Sequence, residues 1–231
     1  MMTKGRKQVM EFRDRFYIIM IIAVNIVASY SAFVLSPTEK TMGDLIRIFY
    51  VHTPAAWVCY LSLGISLVGS IAFLAKRNPK YDRIAEASAV LGLVYGAIAL
   101  VTGSIWANAT WGAYWNWDPR ETTTLILWIA YMGYLSLKLS IGQSEKKATI
   151  GAVYNVLAFS TLPLSYLSIQ LWHSLHPQVI TATQIAITTP MIETLVMNLL
   201  ASSLVFAYIL REMITLRGLE ARARGGVSGG S

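Results

Sequence analysis

The sequence predicts an all-α polytopic membrane protein, a bundle of six transmembrane helices with both termini cytoplasmic. Three observations predict it. The first is composition: 55% of the 231 residues are hydrophobic and 13% are charged, too apolar for an ordinary soluble domain. The second is a set of six apolar runs, near 16–36, 54–75, 86–106, 122–141, 150–170 and 190–211, each long enough to cross a hydrocarbon core with about 20 residues. The third is where the basic residues fall. With the N-terminus inside, Lys4, Arg6, Lys7, Arg13 and Arg15 precede the first run, and Lys76, Arg77, Lys80 and Arg83 lie between the second and third. Lys138, Lys146 and Lys147 flank the fourth turn, and Arg211, Arg217, Arg222 and Arg224 follow the last run. Only Lys40, Arg47 and Arg120 of the 19 basic residues are left outside, the asymmetry that orients membrane proteins. The net charge of +7 is therefore topological and implies no nucleic-acid partner.

The first run follows a basic lead-in as a signal peptide would. It is too long for such a segment and lacks a small-x-small cleavage pattern, so it is expected to remain as a span. Pro37 ends it. The next loop leads into YVHTPAAW, where Thr53 can cap and Pro54 can take the first helical position, leaving His52 at the outer mouth of the second span. Gly92, Gly96, Gly103 and Ser104 suit close helix contact in the third. Asp118-Pro119-Arg120-Glu121 reads as a helix start, with Asp118 the cap and Glu121 the third residue of a capping box. Capping alone accounts for these two acids. It does not account for Arg120, a cation at a helix N-terminus, which suggests an anionic partner, with an ion pair to Glu121 or a lipid phosphate as the plain alternative. Pro163 is expected to kink the fifth span. His173 and His176 are three apart and can share a helix face, with Pro177 ending the helix at 176. Pro190 opens the sixth span, with Glu193 in its first turn. Residues 1–212 thus form one membrane domain, and 213–231, rich in Gly, Ser and Arg, are expected to be a disordered cytoplasmic tail.

Motifs exclude several classes. Cys59 is the only cysteine, so there is no internal disulfide and no CxxCH heme-attachment site. No GxxxxGK[ST] loop is present, so ATP use belongs to a partner chain.

Span parity then brings residues together. Loops one, three and five share the outer face, so His52, the stretch WANATWGAYWNWDPRET at 106–122, and His173/His176 emerge on one side. Six of the seven tryptophans lie there too, whereas an ordinary aromatic belt populates both interfaces. Imidazoles from two loops, a tryptophan platform and an arginine fit heme: axial ligands for iron, flat apolar faces for the macrocycle, a cation for the propionates. Zinc needs a further ligand, which only His173 could supply. A b-type electron-transfer cytochrome would carry its axial histidines inside spans, and none is expected there.

WGAYWNWDPRET resembles the tryptophan-rich WWD motif of heme-handling membrane proteins, and YVHTPAAW and LWHSLH resemble its two flanking histidine segments. Across residues up to about 212 the chain is similar to the heme exporter protein C family of cytochrome c maturation. The resemblance implies that His52 and His176 are axial ligands of heme b, and that Trp111, Trp115, Trp117 and Asp118 belong to the heme platform, with Arg120 beside the propionates and His173 a secondary candidate. It further implies an inner-membrane protein that does no bond chemistry and presents heme to a periplasmic heme chaperone. The implied partners are an ABC-type ATPase with its membrane subunits and a small single-span subunit. Pro119 and Glu121 depart from the family pattern and place Glu121 where it could compete for Arg120. Transport of heme through the bundle, membrane redox chemistry, and a purely structural assembly role are the alternatives. A transport path would need more intramembrane polar residues than Asn25, Asn155 and Asn198, which suit helix contacts.

Overall fold

The computed structural model describes residues 4–40, 42–141, 145–177 and 187–228. Seven α-helices follow in order: α1 (Lys4–Tyr30, continued by a π-helical turn, Ser31–Leu35), α2 (Ile46–Lys76), α3 (Pro79–Trp111), α4 (Pro119–Ser140), α5 (Glu145–Phe159), α6 (Thr161–Leu171) and α7 (Thr189–Ser228). No strand occurs among the described residues. Among the described residues, five segments are long and apolar enough to cross a membrane: Asp14–Leu35, Ile46–Lys76, Pro79–Trp111, Lys146–Leu171 and Thr189–Ala221. The chain is a multi-pass membrane protein.

The fourth expected span is less apolar than these five. Its 22 residues include Pro119, Arg120, Glu121, three threonines and Lys138, yet a helix of that length reaches about 33 Å. It runs the height of the bundle. Arg120 at its start bonds α6, Trp128 in its middle donates to the Leu93 carbonyl of α3 at 2.9 Å, and Lys138 near its end meets Asp82 at the start of α3.

α2 and α3 form the tightest pair. Arg77, at φ 52°, stops α2, and Asn78 caps α3 by accepting from the Lys80 amide at 2.9 Å with Pro79 in the first turn. In this lipid-like interior the packing depends on small residues and polar links. A Cβ on Gly69 would lie 3.0 Å from the Tyr81 carbonyl and the Ala85 amide, and one on Gly92 would collide with Leu63. Ser62 and Ser66 donate to the Ser88 and Ala85 carbonyls at 2.6 and 2.7 Å. The expected helix-contact role holds for two of the three asparagines. Asn155 ties α5 to Ser66 and Ser70 of α2, Asn198 ties α7 to the Ala28 carbonyl of α1, and Asn25 bonds within its own helix.

Four sequence expectations require correction. α2 begins at Ile46, with Pro54 inside the helix, not at Thr53 and Pro54. Burial of Ile46 and Tyr50 against Met191 and Leu195 of α7 stabilises the extra turns, which outweighs the amide that proline lacks. His52 therefore lies within a membrane-crossing helix. The fifth span breaks into α5 and α6 at Ser160, three residues before Pro163, which is the expected kink, but α6 stops at Leu171. His173 and His176 are not helical. The last span opens at Thr189, so Glu193 falls just past the first turn. Finally, α7 continues through Ser228 where a disordered tail is expected. Leu219, Glu220, Ala221, Arg222, Ala223 and Arg224 are good helix formers, and they outweigh the glycines around them. Residues 229–231 lie outside the described residues.

Candidate functional site

One end of the bundle holds a cavity of 420 Å³ between α2, α3, α4 and the connecting segments, the size of a ligand pocket. Its wall is mostly apolar, and it takes in Trp57, Trp106, Trp111 and Trp115 together with both His52 and His176. Parity of the spans predicts this meeting, and the structure shows it.

His52 projects from α2 toward α3. Its Nδ1 lies 3.0 Å from the Ala99 carbonyl and 3.2 Å from Thr102 Oγ1. A carbonyl only accepts, so Nδ1 carries the proton and Nε2 keeps its lone pair. Gly103 makes room for this ring, since a Cβ there would come within 3.0 Å of His52 Cε1. His176 follows the same logic: its Nδ1 lies 3.2 Å from the Pro177 carbonyl, again leaving Nε2 free. Burial first, and the Arg120 guanidinium second, push the His176 imidazole down to about 4, so at neutral pH it is an uncharged donor. The two ring centroids are 6.5 Å apart with planes inclined by 41°.

The tryptophan loop is held at both ends. Gly112, at φ 78°, terminates α3, and Ser104 donates to the Tyr114 carbonyl at 2.7 Å. Trp106 and Trp111 meet edge to face at 5.1 Å, as do Trp115 and Trp117 at 6.0 Å, the arrangement aromatic quadrupoles favour. Trp117 is the exception among the expected platform residues. It is 74% exposed, has a positive φ of 56°, and is not part of the cavity wall. Trp128, two turns into α4, packs in the core instead.

Asp118 is the N-cap the sequence predicts, accepting from the Arg120 amide at 2.8 Å. It also does more: the same carboxylate accepts from Ser174 Oγ at 2.9 and 2.8 Å and from the Leu175 amide at 2.7 Å. Glu121 accepts from the Asn116 amide at 3.0 Å, two residues short of the expected capping-box partner. Arg120 pairs with neither acid. Its Nη1 donates to the Ser165 and Tyr166 carbonyls at 2.7 and 2.8 Å, and the guanidinium stacks 5.8 Å from the Tyr166 ring. Within the protein the guanidinium is met by two backbone dipoles of α6, not by an acid, and the side chain lines the cavity.

His173 is exposed and does not line the cavity. Among the described residues no group of three or more His, Cys, Asp or Glu could hold a metal ion, so a zinc site has no ligand set there. Ser174, Gly103 and Trp106 were not among the site residues expected from the sequence. Only Trp106 carries a signal, as the first tryptophan of the rich stretch.

These observations define a multi-pass membrane protein whose helices close around a two-histidine, tryptophan-walled cavity at one end. Comparison with known proteins is consistent with that class. The model of the heme exporter protein C family matches residues 5–225, and the chain belongs to that family. Similar relatives include heme exporter protein C of Bradyrhizobium diazoefficiens, 33% identical over 142 residues, 62% of this chain and 54% of that protein. That of Rhodobacter capsulatus is 35% identical over 133 residues, 54% of this chain and 55% of that protein. That of Escherichia coli K12 is 30% identical over 145 residues, 62% and 59%. The chain spans a little over half the length of each of these curated relatives.

Proposed function

We propose that this protein binds heme b in the cavity, with His52 and His176 as axial ligands, and presents it to a periplasmic heme chaperone during maturation of c-type cytochromes. The observation that carries the reading is the imidazole pair. The two rings share one cavity with centroids 6.5 Å apart, and each engages protein through Nδ1, so both Nε2 atoms would be available to hold one metal. The residues present therefore fit the group. Bound heme supplies an iron that takes both imidazoles and a flat ring for the indoles.

The chain's own residues supply the rest. Trp106, Trp111 and Trp115 shield the ring from water, and Arg120 keeps a cation at the cavity wall for the propionates while fastening α4 to α6. The exposure of Trp117 beside Trp115 supports a role for that ring in meeting an incoming chaperone. In this reading the cavity faces the periplasm, the protein sits in the inner membrane, and both termini are cytoplasmic. It does no bond chemistry on heme. An ABC-type ATPase with its membrane subunits and a small single-span subunit complete the assembly, and lipids surround the rest.

The test is absorption spectroscopy of the detergent-purified chain loaded with hemin. A low-spin bis-imidazole spectrum is expected, lost in both His52→Ala and His176→Ala while expression is preserved. A wild-type spectrum in either variant contradicts the ligand assignment.

A further inference from the structure

The segment that carries His176 has no regular structure of its own, yet an axial ligand must arrive in a fixed orientation. Among the described residues, the hydrogen bonds tying 173–176 to the helices all run to one group, the Asp118 carboxylate. Leu175 donates its amide to Oδ2 at 2.7 Å, and Ser174 shares its hydroxyl proton between Oδ1 and Oδ2 at 2.9 and 2.8 Å. The Ser174 oxygen is used a second time, as it accepts the His176 amide at 3.1 Å. The hydroxyl thus sits between a buried carboxylate, 5% exposed, and the backbone of the histidine itself. Leu175 fixes where the segment lies; Ser174 fixes how the next residue turns.

We infer that Ser174 is the positioning residue for His176: its hydroxyl couples the α4 cap to the His176 amide and so aims the imidazole into the cavity across from His52. The inference rests on the reading of His176 as a heme ligand. In that arrangement Asp118, which also lines the cavity, acts on the ligand histidine through Ser174, which gives the acid of the tryptophan-rich motif a role beyond capping. Charge-assisted hydrogen bonds of this kind are short and directional, and among the described residues the segment makes no other hydrogen bond to a helix or its cap. The clasp therefore governs how long the second axial ligand stays engaged.

The experiment compares full-length wild type, Ser174→Ala, Ser174→Thr and His176→Ala in detergent, each loaded with hemin. Ferric spectra are recorded, and release is timed with excess apomyoglobin as the acceptor. Ser174→Ala is expected to show a mixed high-spin and low-spin spectrum and to release hemin about tenfold faster, the equivalent of one hydrogen bond to a charged group. Ser174→Thr, which keeps the hydroxyl, is expected to match wild type. Added imidazole should return Ser174→Ala to the low-spin form by taking the vacated position, and failure to do so overturns the positioning role, because the cavity itself would then be lost. If Ser174→Ala keeps the wild-type spectrum and release rate while His176→Ala loses the low-spin form, the inference fails and the ligand assignment stands. If His176→Ala also keeps the wild-type spectrum, the ligand assignment fails and this inference with it.

Discussion

Along α4 the two ends of the bundle use charge in opposite ways. At one end Lys138, 2% exposed, bonds Asp82 at 2.6 Å and Glu86 at 3.0 Å, and Arg217 closes on the other oxygen of Glu86 at 2.5 Å. Acids and bases pair with one another there, joining α3, α4 and α7. At the other end Asp118, Arg120 and Glu121 form no ion pairs among the described residues. They hold backbone instead: the Leu175 and Arg120 amides, the Ser165 and Tyr166 carbonyls, and the Asn116 amide. Charges that satisfy each other draw the helices together. Charges spent on backbone groups pin irregular segments at a distance, and the space between those segments is the cavity. α4 carries both patterns on a single helix.

The largest effect should come from breaking the closed end. Lys138→Met leaves two carboxylates without their buried partner, and loss of one member of such a pair costs about 3–5 kcal/mol. Thermal unfolding in detergent should show it, while the folded fraction keeps the wild-type hemin spectrum. Arg120→Gln removes a charged fork from two α6 carbonyls and should cost about 1.5–3 kcal/mol. Unlike Lys138→Met, it should also weaken hemin binding in a titration. Gly69→Ala forces a methyl against α3 backbone and should lower stability by about 1–3 kcal/mol, again with no change in hemin affinity. Trp117→Ala should be the smallest change, within about 0.5 kcal/mol, with unaltered hemin affinity, because the ring stands outside the cavity wall. Should Trp117→Ala weaken hemin binding as much as Arg120→Gln, the boundary drawn here between platform and surface is wrong.

What the sequence made legible was local or periodic. Asp118 and Pro119 announce the start of α4, six apolar runs mark the long helices, and counting them brings His52 and His176 to the same end. What it hid was tertiary. Thr53-Pro54 carries the chemistry of a helix start, and only burial of Ile46 and Tyr50 against α7 shows that the helix has already begun. Arg120 finds its acceptors 45 and 46 residues away on α6, where no spacing rule reaches. Trp115 and Trp117 look equivalent in the motif, and a positive φ at Trp117 is what sends the two rings to different environments. Ser174 between two histidines is an unremarkable serine until Asp118 is seen beneath it.

The central claim is that a helix-borne and a loop-borne imidazole take one iron between them. Low-temperature electron paramagnetic resonance of the hemin-loaded ferric protein tests this most directly. A single low-spin species with two nitrogen axial ligands is the predicted result, replaced by a high-spin signal in His52→Ala and in His176→Ala. A wild-type spectrum that is already high-spin, or low-spin in both variants, would contradict it.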